Sequence, residues 1–447
     1  MSQFLQSRCV LTPQGSVDGA VEIADGKVVR VLSRSELPAG AQVEDLGDLV
    51  LMPGLVDSHA HINEPGRTDW EGFETATRAA AAGGITTVVD MPLNSIPVTT
   101  TPDALRQKVA ATEGKIRIDC AFWGGLIPQN AGQLEALVQA GVVGAKAFLV
   151  HSGIDEFPMA SEDDLRRGMI ALAHAGAPLI AHAELDRHLP GPEAQGDKRS
   201  YRTYLASRPP QWEVEAVAML ARLARETGCA THIVHLSAAD ALEEVRRARA
   251  EGLAFSAETC PHYLTLCAEE IPDGRTEFKC APPIRERANQ ARLWEALGEG
   301  TISMVVSDHS PCTPQLKLPE AGDFLGAWGG IASLELGLSN LWTHAQARGF
   351  TLLDVSRWMS ANPARLTGLS SKGTLEAGKD ADLIAFDPDA EREIRLDTLN
   401  QRHRITPYAG RRVRGVVRRT YLRGEKIYED GRFIGAPVGR PILGRNP

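Results

Sequence analysis

The segment Asp57–Ser58–His59–Ala60–His61 sets two imidazoles two residues apart at the end of an apolar run. Side chains alternate along a strand, so His59 and His61 share a face, close enough to hold an ion together or to hydrogen-bond to one another. Further apolar runs end in Ile180–Ala181–His182, Ile233–Val234–His235 and Val306–Ser307–Asp308. Four imidazoles and one carboxylate delivered to one place suit two borderline divalent ions, zinc first, with cobalt, manganese and iron tolerated by the same donors. Lys146 ends another run, Val143–Gly144–Ala145–Lys146. A protonated amine there would be repelled by two dications. Carbon dioxide can convert a deprotonated lysine to a carbamate, whose two anionic oxygens could bridge the ions; a substrate-binding cation or a salt-bridge partner is the other reading of this residue.

These groups meet only if separate elements deliver them to one rim. Eight apolar, β-rich runs are legible: Leu51–His61, Thr86–Met91, Asp119–Gly124, Gly144–Val150, Pro178–His182, Thr231–Leu236, Ala254–Glu258 and Ile302–Asp308. Between them Asp69–Ala82, Asp103–Thr112, Glu162–Ala173, Glu213–Arg225 and Ala239–Glu251 repeat apolar residues three or four apart, as amphipathic helices do. Strands apolar on both faces alternating with helices predict an α/β fold, a (β/α)8 TIM-like barrel over residues 53–372, with the carboxyl ends of its strands forming the site. A doubly wound sheet is the alternative on the same alternation. Residues 1–52 and 373–447 read instead as short strands around turns, and predict a small β-sandwich built from both chain ends.

Composition narrows the function classes. The 447 residues carry a formal charge of −9, which argues against a nucleic-acid partner. No apolar run approaches ~18 residues and MSQFLQSRCV lacks a signal-peptide pattern, so neither a membrane span nor export is expected. Seven cysteines without a CxxC pair indicate reduced thiols and a cytoplasmic location, not a disulfide framework or a cysteine-based zinc site.

Taken in order, PGLVDSHAHINEPG (53–66), GAKAFLV (144–150), His182, His235, ETCPHYL (258–264), SDHSP (307–311), ANPARLTGL (361–369) and GKDADLIAFD (378–387) resemble the amidohydrolase superfamily, in its cyclic-amidase branch of hydantoinases, dihydroorotases and allantoinases. The resemblance runs over essentially the whole chain. It implies His59 and His61 on one ion, carboxylated Lys146 as the bridge, His182 and His235 on the second ion, and Asp308 as both ligand and proton shuttle. It further implies that a metal-bridging hydroxide attacks a cyclic amide, and that the chain assembles as a homodimer or homotetramer. Members that lost catalysis and serve as scaffolds lack several metal positions; all six are filled here.

Which ring is opened rests on smaller differences. Dihydroorotases carry Arg two residues beyond the HxH motif, to pair with the substrate carboxylate; here Asn63 stands there, with Arg67 nearby as a substitute. Hydantoinases place Tyr after the lysine strand, where this chain has His151. The stretches NEPGRTDWEGF (63–73), MPLNSIPVTT (91–100), YLASRPPQWEVEA (204–216) and SDHSPCTP (307–314) most resemble allantoinases, which implies (S)-allantoin opened to allantoate. Hydantoinase or dihydropyrimidinase activity, and dihydroorotase activity behind it, are the alternatives. Candidate substrate contacts are Asn63, Asn94, His151, Ala281 and Ser310, the last two through their backbones. Glu258 and His262 read as scaffold, Cys312 as buried filler, and Gly329–Gly330 as a place where backbone approaches the ligand. His174, His188, His344 and His403 read as ordinary surface or supporting residues.

Overall fold

A computed structural model describes residues 2–187 and 191–445. The alternating runs form parallel strands, in chain order β1 (Leu55–Ala60), β2 (Ile85–Asp90), β3 (Asp119–Phe122), β4 (Ala145–Phe148), β5 (Leu179–His182), β6 (Thr231–Ile233), β7 (Phe255–Thr259) and β8 (Met304–Val305). β1 to β3 make one ladder; β4 to β8, preceded by Gly124–Gly125, make another. At one seam Trp123 N–H donates to Asp90 O and Val143 N–H to Phe122 O, each at 2.9 Å. At the other, His61 N–H donates to His309 O at 2.7 Å, closing the ring into the expected barrel. Every residue of β1 to β5 is buried, as strands covered on both faces require.

Helix ends follow the local chemistry. Ser161 Oγ accepts from Asp164 N–H at 3.2 Å and starts Glu162–His174; Thr101 Oγ1 does the same for Pro102–Ala110. The helix expected from Asp69 begins only at Phe73. Residues before it turn because their polar groups serve other elements: Asp69 O accepts from His403 Nε2 and the Glu71 carboxylate from His309 Nε2.

Two strand limits differ from the expected ones. The run Leu51–His61 splits at Gly54, so that Val50–Pro53 joins a different sheet from β1. Gly54 N–H donates to Asp382 O at 2.8 Å, and a Cβ on it would lie 2.3 Å from Thr86 Oγ1; only glycine passes under that side chain. β8 is shorter than Ile302–Asp308 because the chain turns into left-handed backbone at Asp308 (φ 44°), and pairing with β1 passes to His309.

The two chain ends meet in one nine-stranded sheet. The N-terminal strands Gln3–Thr12, Gly15–Ala24 and Lys27–Ser33 run antiparallel in sequence, and the C-terminal strands Leu383–Glu393, Arg412–Leu422 and Glu425–Glu429 do likewise. Val50–Pro53 joins the halves, parallel to the first strand and antiparallel to Leu383–Glu393. Leu5, Val10, Val21, Leu51, Leu383 and Tyr421 share a core of their own. Among the described residues no helix is long and apolar enough to cross a membrane, and all seven cysteines are free.

Lys372 ties this sheet to the barrel. Its Nζ lies 2.6 Å from Asp119 Oδ2 on β3, 2.7 Å from Asp382 and 2.9 Å from Asp380, with almost no exposure. Burial opposes the ammonium, but the three carboxylates outweigh it and hold the group protonated. Removing one partner of such a buried cluster leaves uncompensated charge, so Lys372→Met is expected to destabilise the protein by about 3–5 kcal/mol. The check is a lower urea midpoint at unchanged slope; a midpoint within error of the parent would contradict this assignment.

Candidate active site

The strand ends deliver their polar groups to the carboxyl mouth of the barrel, as the fold dictates. His59 on β1 is fully buried, and its Nδ1 donates to Glu258 Oε1 on β7 at 2.6 Å. That bond turns the bare Nε2 inward, 3.2 Å from Asp308 Oδ1 and 3.1 Å from Lys146 Nζ. Glu258 is shared: its other oxygen accepts from His232 Nε2 at 2.9 Å, and the backbone N–H of His235 donates to Oε1 at 3.3 Å. His61 Nε2 lies 3.8 Å from the same Asp308 oxygen.

A second pair forms beside the first. His182, at the end of β5, donates from Nε2 to Glu184 Oε2 at 2.7 Å, and Glu184 is held in turn by the Arg208 guanidinium. The remaining His182 nitrogen, Nδ1, therefore offers a lone pair, 3.0 Å from His235 Nε2. The His182 ring stacks on Phe148, with centroids 4.6 Å apart and planes at 17°. His235 (φ 40°) and Asp308 (φ 44°) are both in left-handed backbone, a conformation non-glycine residues adopt at a cost and which concentrates at functional sites.

Burial dominates the electrostatics. It pushes His59, His61, His182 and His235 below the ordinary imidazole range, and for His59, His61 and His235 the neighbouring cationic groups push further in the same direction. Neutral imidazole is the form that ligates metal. Burial also lowers Lys146 and raises Asp308, each partly offset by the other's opposite charge. Burial opposes the Glu184 carboxylate as well, yet Arg208 and His182 hold it well below the carboxylate range.

This donor set fits a divalent metal centre. His59, His61 and Asp308 place one ligand atom each within 4.8 Å of one another, and all three are buried. His182 Nδ1 and His235 Nε2 lie 3.0 Å apart, and His235 Nδ1 has no partner among the described residues. Glu258 occupies the far nitrogen of His59 and Glu184 that of His182, as outer partners of metal-bound imidazole do.

A cavity of about 320 Å³ opens onto this floor, lined in part by His61, Asn94, Lys146, His182, His235 and Asp308. Of the anticipated substrate contacts, Asn94, His151, Ala281 and Ser310 also line it. Asn94 (φ 67°) leaves Oδ1 without a partner, whereas His151 sits exposed at the rim, 3.5 Å from Asp155. Asn63 does not line the cavity; it is buried and donates to Pro311 O at 3.3 Å. Gly330 approaches Ser310 so closely that a Cβ would lie 2.2 Å from its carbonyl oxygen. Cys312 is buried, His174 is exposed beside Glu135, and His188 lies outside the described residues.

Sequence reasoning missed Glu184, Arg208 and Lys279. The spacing of His182 and Glu184 carries the same alternation signal as His59 and His61. Arg208 and Lys279 reach the cavity from loops and have no motif of their own.

A family model described as the amidohydrolase family matches residues 50–427. The allantoinase of Streptomyces avermitilis is 53% identical over 99% of this chain and 98% of its own length. That of Arabidopsis thaliana is 44% identical over 98% of this chain and 90% of its own. Among solved structures, the L-hydantoinase (dihydropyrimidinase) from Arthrobacter aurescens superposes with a TM-score of 0.93 at 30% identity, covering 99% of both chains.

Proposed function

Because the chain belongs to the amidohydrolase family, a hydrolase acting on cyclic amide C–N bonds, we propose that its cavity opens the hydantoin ring of (S)-allantoin to give allantoate. The observation that carries this reading is the convergence of His61, His182, His235, Lys146 and Asp308 on one cavity floor, with the buried His59 Nε2 against Lys146 and Asp308, in a chain alike over nearly its full length to allantoinases. His59, His61 and Asp308 would hold one divalent ion and His182 and His235 the other, zinc being the best match to imidazole and carboxylate donors. Carboxylated Lys146 would join the two. Burial favours the neutral amine that carbon dioxide needs, and the fully buried His59 Nε2 lies 3.1 Å away. When bound, such ions polarise a carbonyl and acidify water.

The protein's own groups do the rest. Glu258 and Glu184 orient the imidazoles, and Phe148 fixes the plane of His182. Asp308 accepts a proton as water oxygen adds to the scissile carbonyl, then returns it to the ring nitrogen as the C–N bond breaks, giving a ureido N–H and a carboxylic acid that releases water's other proton to solvent as it becomes the carboxylate. The backbone around Ala281, Ser310 and Gly330, with Asn94, grips the ring and its arm.

Arg67 bears on the choice of ring. Its guanidinium is committed to Asn94 O at 2.8 Å and Glu156 at 2.9 Å, and it does not line the cavity. A dihydroorotate carboxylate would find no bidentate partner on that side. The likeness to solved hydantoinases keeps hydantoin-type rings as the second reading. Allantoin, hydantoin, dihydrouracil and dihydroorotate assayed side by side test the assignment: kcat/KM for allantoin is expected to exceed the others by about tenfold or more, one discriminated contact's worth. Preferred turnover of another ring would overturn it. The division into residues 1–52 with 373–447 and residues 53–372, a dimeric or tetrameric assembly, and a cytoplasmic location, supported by the seven free thiols, belong to the same proposal.

A further inference from the structure

Lys279 lines the active-site cavity and is only 8% exposed. Its ammonium donates to Leu325 O at 3.0 Å and Ala327 O at 2.5 Å, and sits 4.9 Å from the centre of the Tyr204 ring. An ammonium has three donors, and among the described residues the third has no acceptor. No carboxylate among them lies within ion-pair distance either. Asp323, the one anion acting on it, is occupied by Lys198 and by the Leu325 and Gly326 N–H groups.

The surrounding charges make this an electropositive wall. Lys317, fully enclosed, donates to the carbonyls of Lys279, Trp328 and Gly330 and likewise has no carboxylate partner among the described residues. Arg208 also faces the cavity, but Glu184 balances it. Burial and these two cations press Lys279 down toward a neutral amine. Among the described residues lining the cavity, Lys279 is thus the basic group with no anionic partner, and an anion that entered would favour its charged form.

We propose that Lys279 is the residue that receives the anionic carboxylate generated by ring opening, so that this wall discriminates the charged product from the neutral substrate. The inference rests on the reading of the reaction given above. An ammonium meets a ureido carbonyl as an ion meets a dipole, but a carboxylate adds an opposite charge in a site largely shielded from water, so the free N–H holds a carboxylate better than a ureido carbonyl. The two carbonyl bonds serve a separate purpose, fastening residues 325–327 as part of the cavity wall.

Lys279→Gln separates the two roles, since an amide can still donate to Leu325 O or Ala327 O but carries no charge. In metal-loaded protein, this variant is expected to raise the competitive inhibition constant of allantoate by about 10–100-fold. The KM for allantoin is expected to change by no more than about threefold, a loss of order half a hydrogen bond. Lys279→Arg, which keeps the charge, is expected to restore most of the product affinity. A parallel change in both constants, an unchanged inhibition constant, or a parent enzyme on which allantoate does not compete would each overturn the inference. Failure of the parent to hydrolyse allantoin would instead sink the proposed reaction. Should the Gln variant not fold, the Arg variant still decides: product affinity lost despite retained charge counts against the role.

Discussion

Lys146→Ala is expected to abolish turnover almost entirely, by about 10³-fold or more in kcat. Stabilising charge at a polarised carbonyl is worth several kcal/mol, and each 1.36 kcal/mol is a factor of ten. Lys146 is 1% exposed, lies within β4 beside His59 Nε2, and feels the charge of Asp308. Alanine removes the atom that would carry the bridging carboxylate while leaving the strand pairing of residues 145–148 untouched. Metal content measured on the purified variant is expected to fall with activity. Short-chain carboxylic acids or bicarbonate are expected to return part of both, because a free carboxylate fits where the modified side chain was. Undiminished turnover in their absence would remove Lys146 from the mechanism.

Asp308→Asn is expected to lower kcat by about 10²–10⁴-fold, the range for a positioned proton acceptor. The amide keeps the size and one oxygen of the carboxylate but cannot take the proton from water. KM for allantoin is expected to move far less than kcat, since the lost step lies after binding. Steady-state kinetics on the metal-loaded variant give both constants at once. A KM that rose with kcat unchanged would make Asp308 a substrate-binding group only.

The barrel was legible in the sequence because its signal is repeated. Five of the eight apolar runs carry a candidate ligand at or near their carboxyl end, and β1, β4 and β5 lie where the runs around His59, Lys146 and His182 predicted them. What could not be read was support delivered through loops. Glu184 was accessible in principle, two residues beyond His182, but Arg208 and Lys279 acquire their meaning only from neighbours distant in sequence. Strand limits failed for a related reason. Gly54 divides Leu51–His61 because of Thr86, a residue of another run, and β8 stops early because Asp308, in its own run, turns into left-handed backbone that its residue type does not announce. Asn63 and Asn94 are both candidate substrate contacts in the sequence, one two residues beyond the HxH motif and one on the loop after the second strand, yet one faces Pro311 and the other the cavity.

The nine-stranded sheet has a consequence for biogenesis. Val50–Pro53 cannot complete its pairing until Leu383–Phe386 has been synthesised, and the strands it joins come from opposite ends of the message. Throughout elongation the early hairpins therefore present a bare hydrogen-bonding margin, the kind of edge that recruits foreign strands. A ribosome that stalls within the barrel would release a chain with that margin uncovered, so aggregation of nascent fragments, rather than slow chemistry, is the hazard this architecture imposes on the cell.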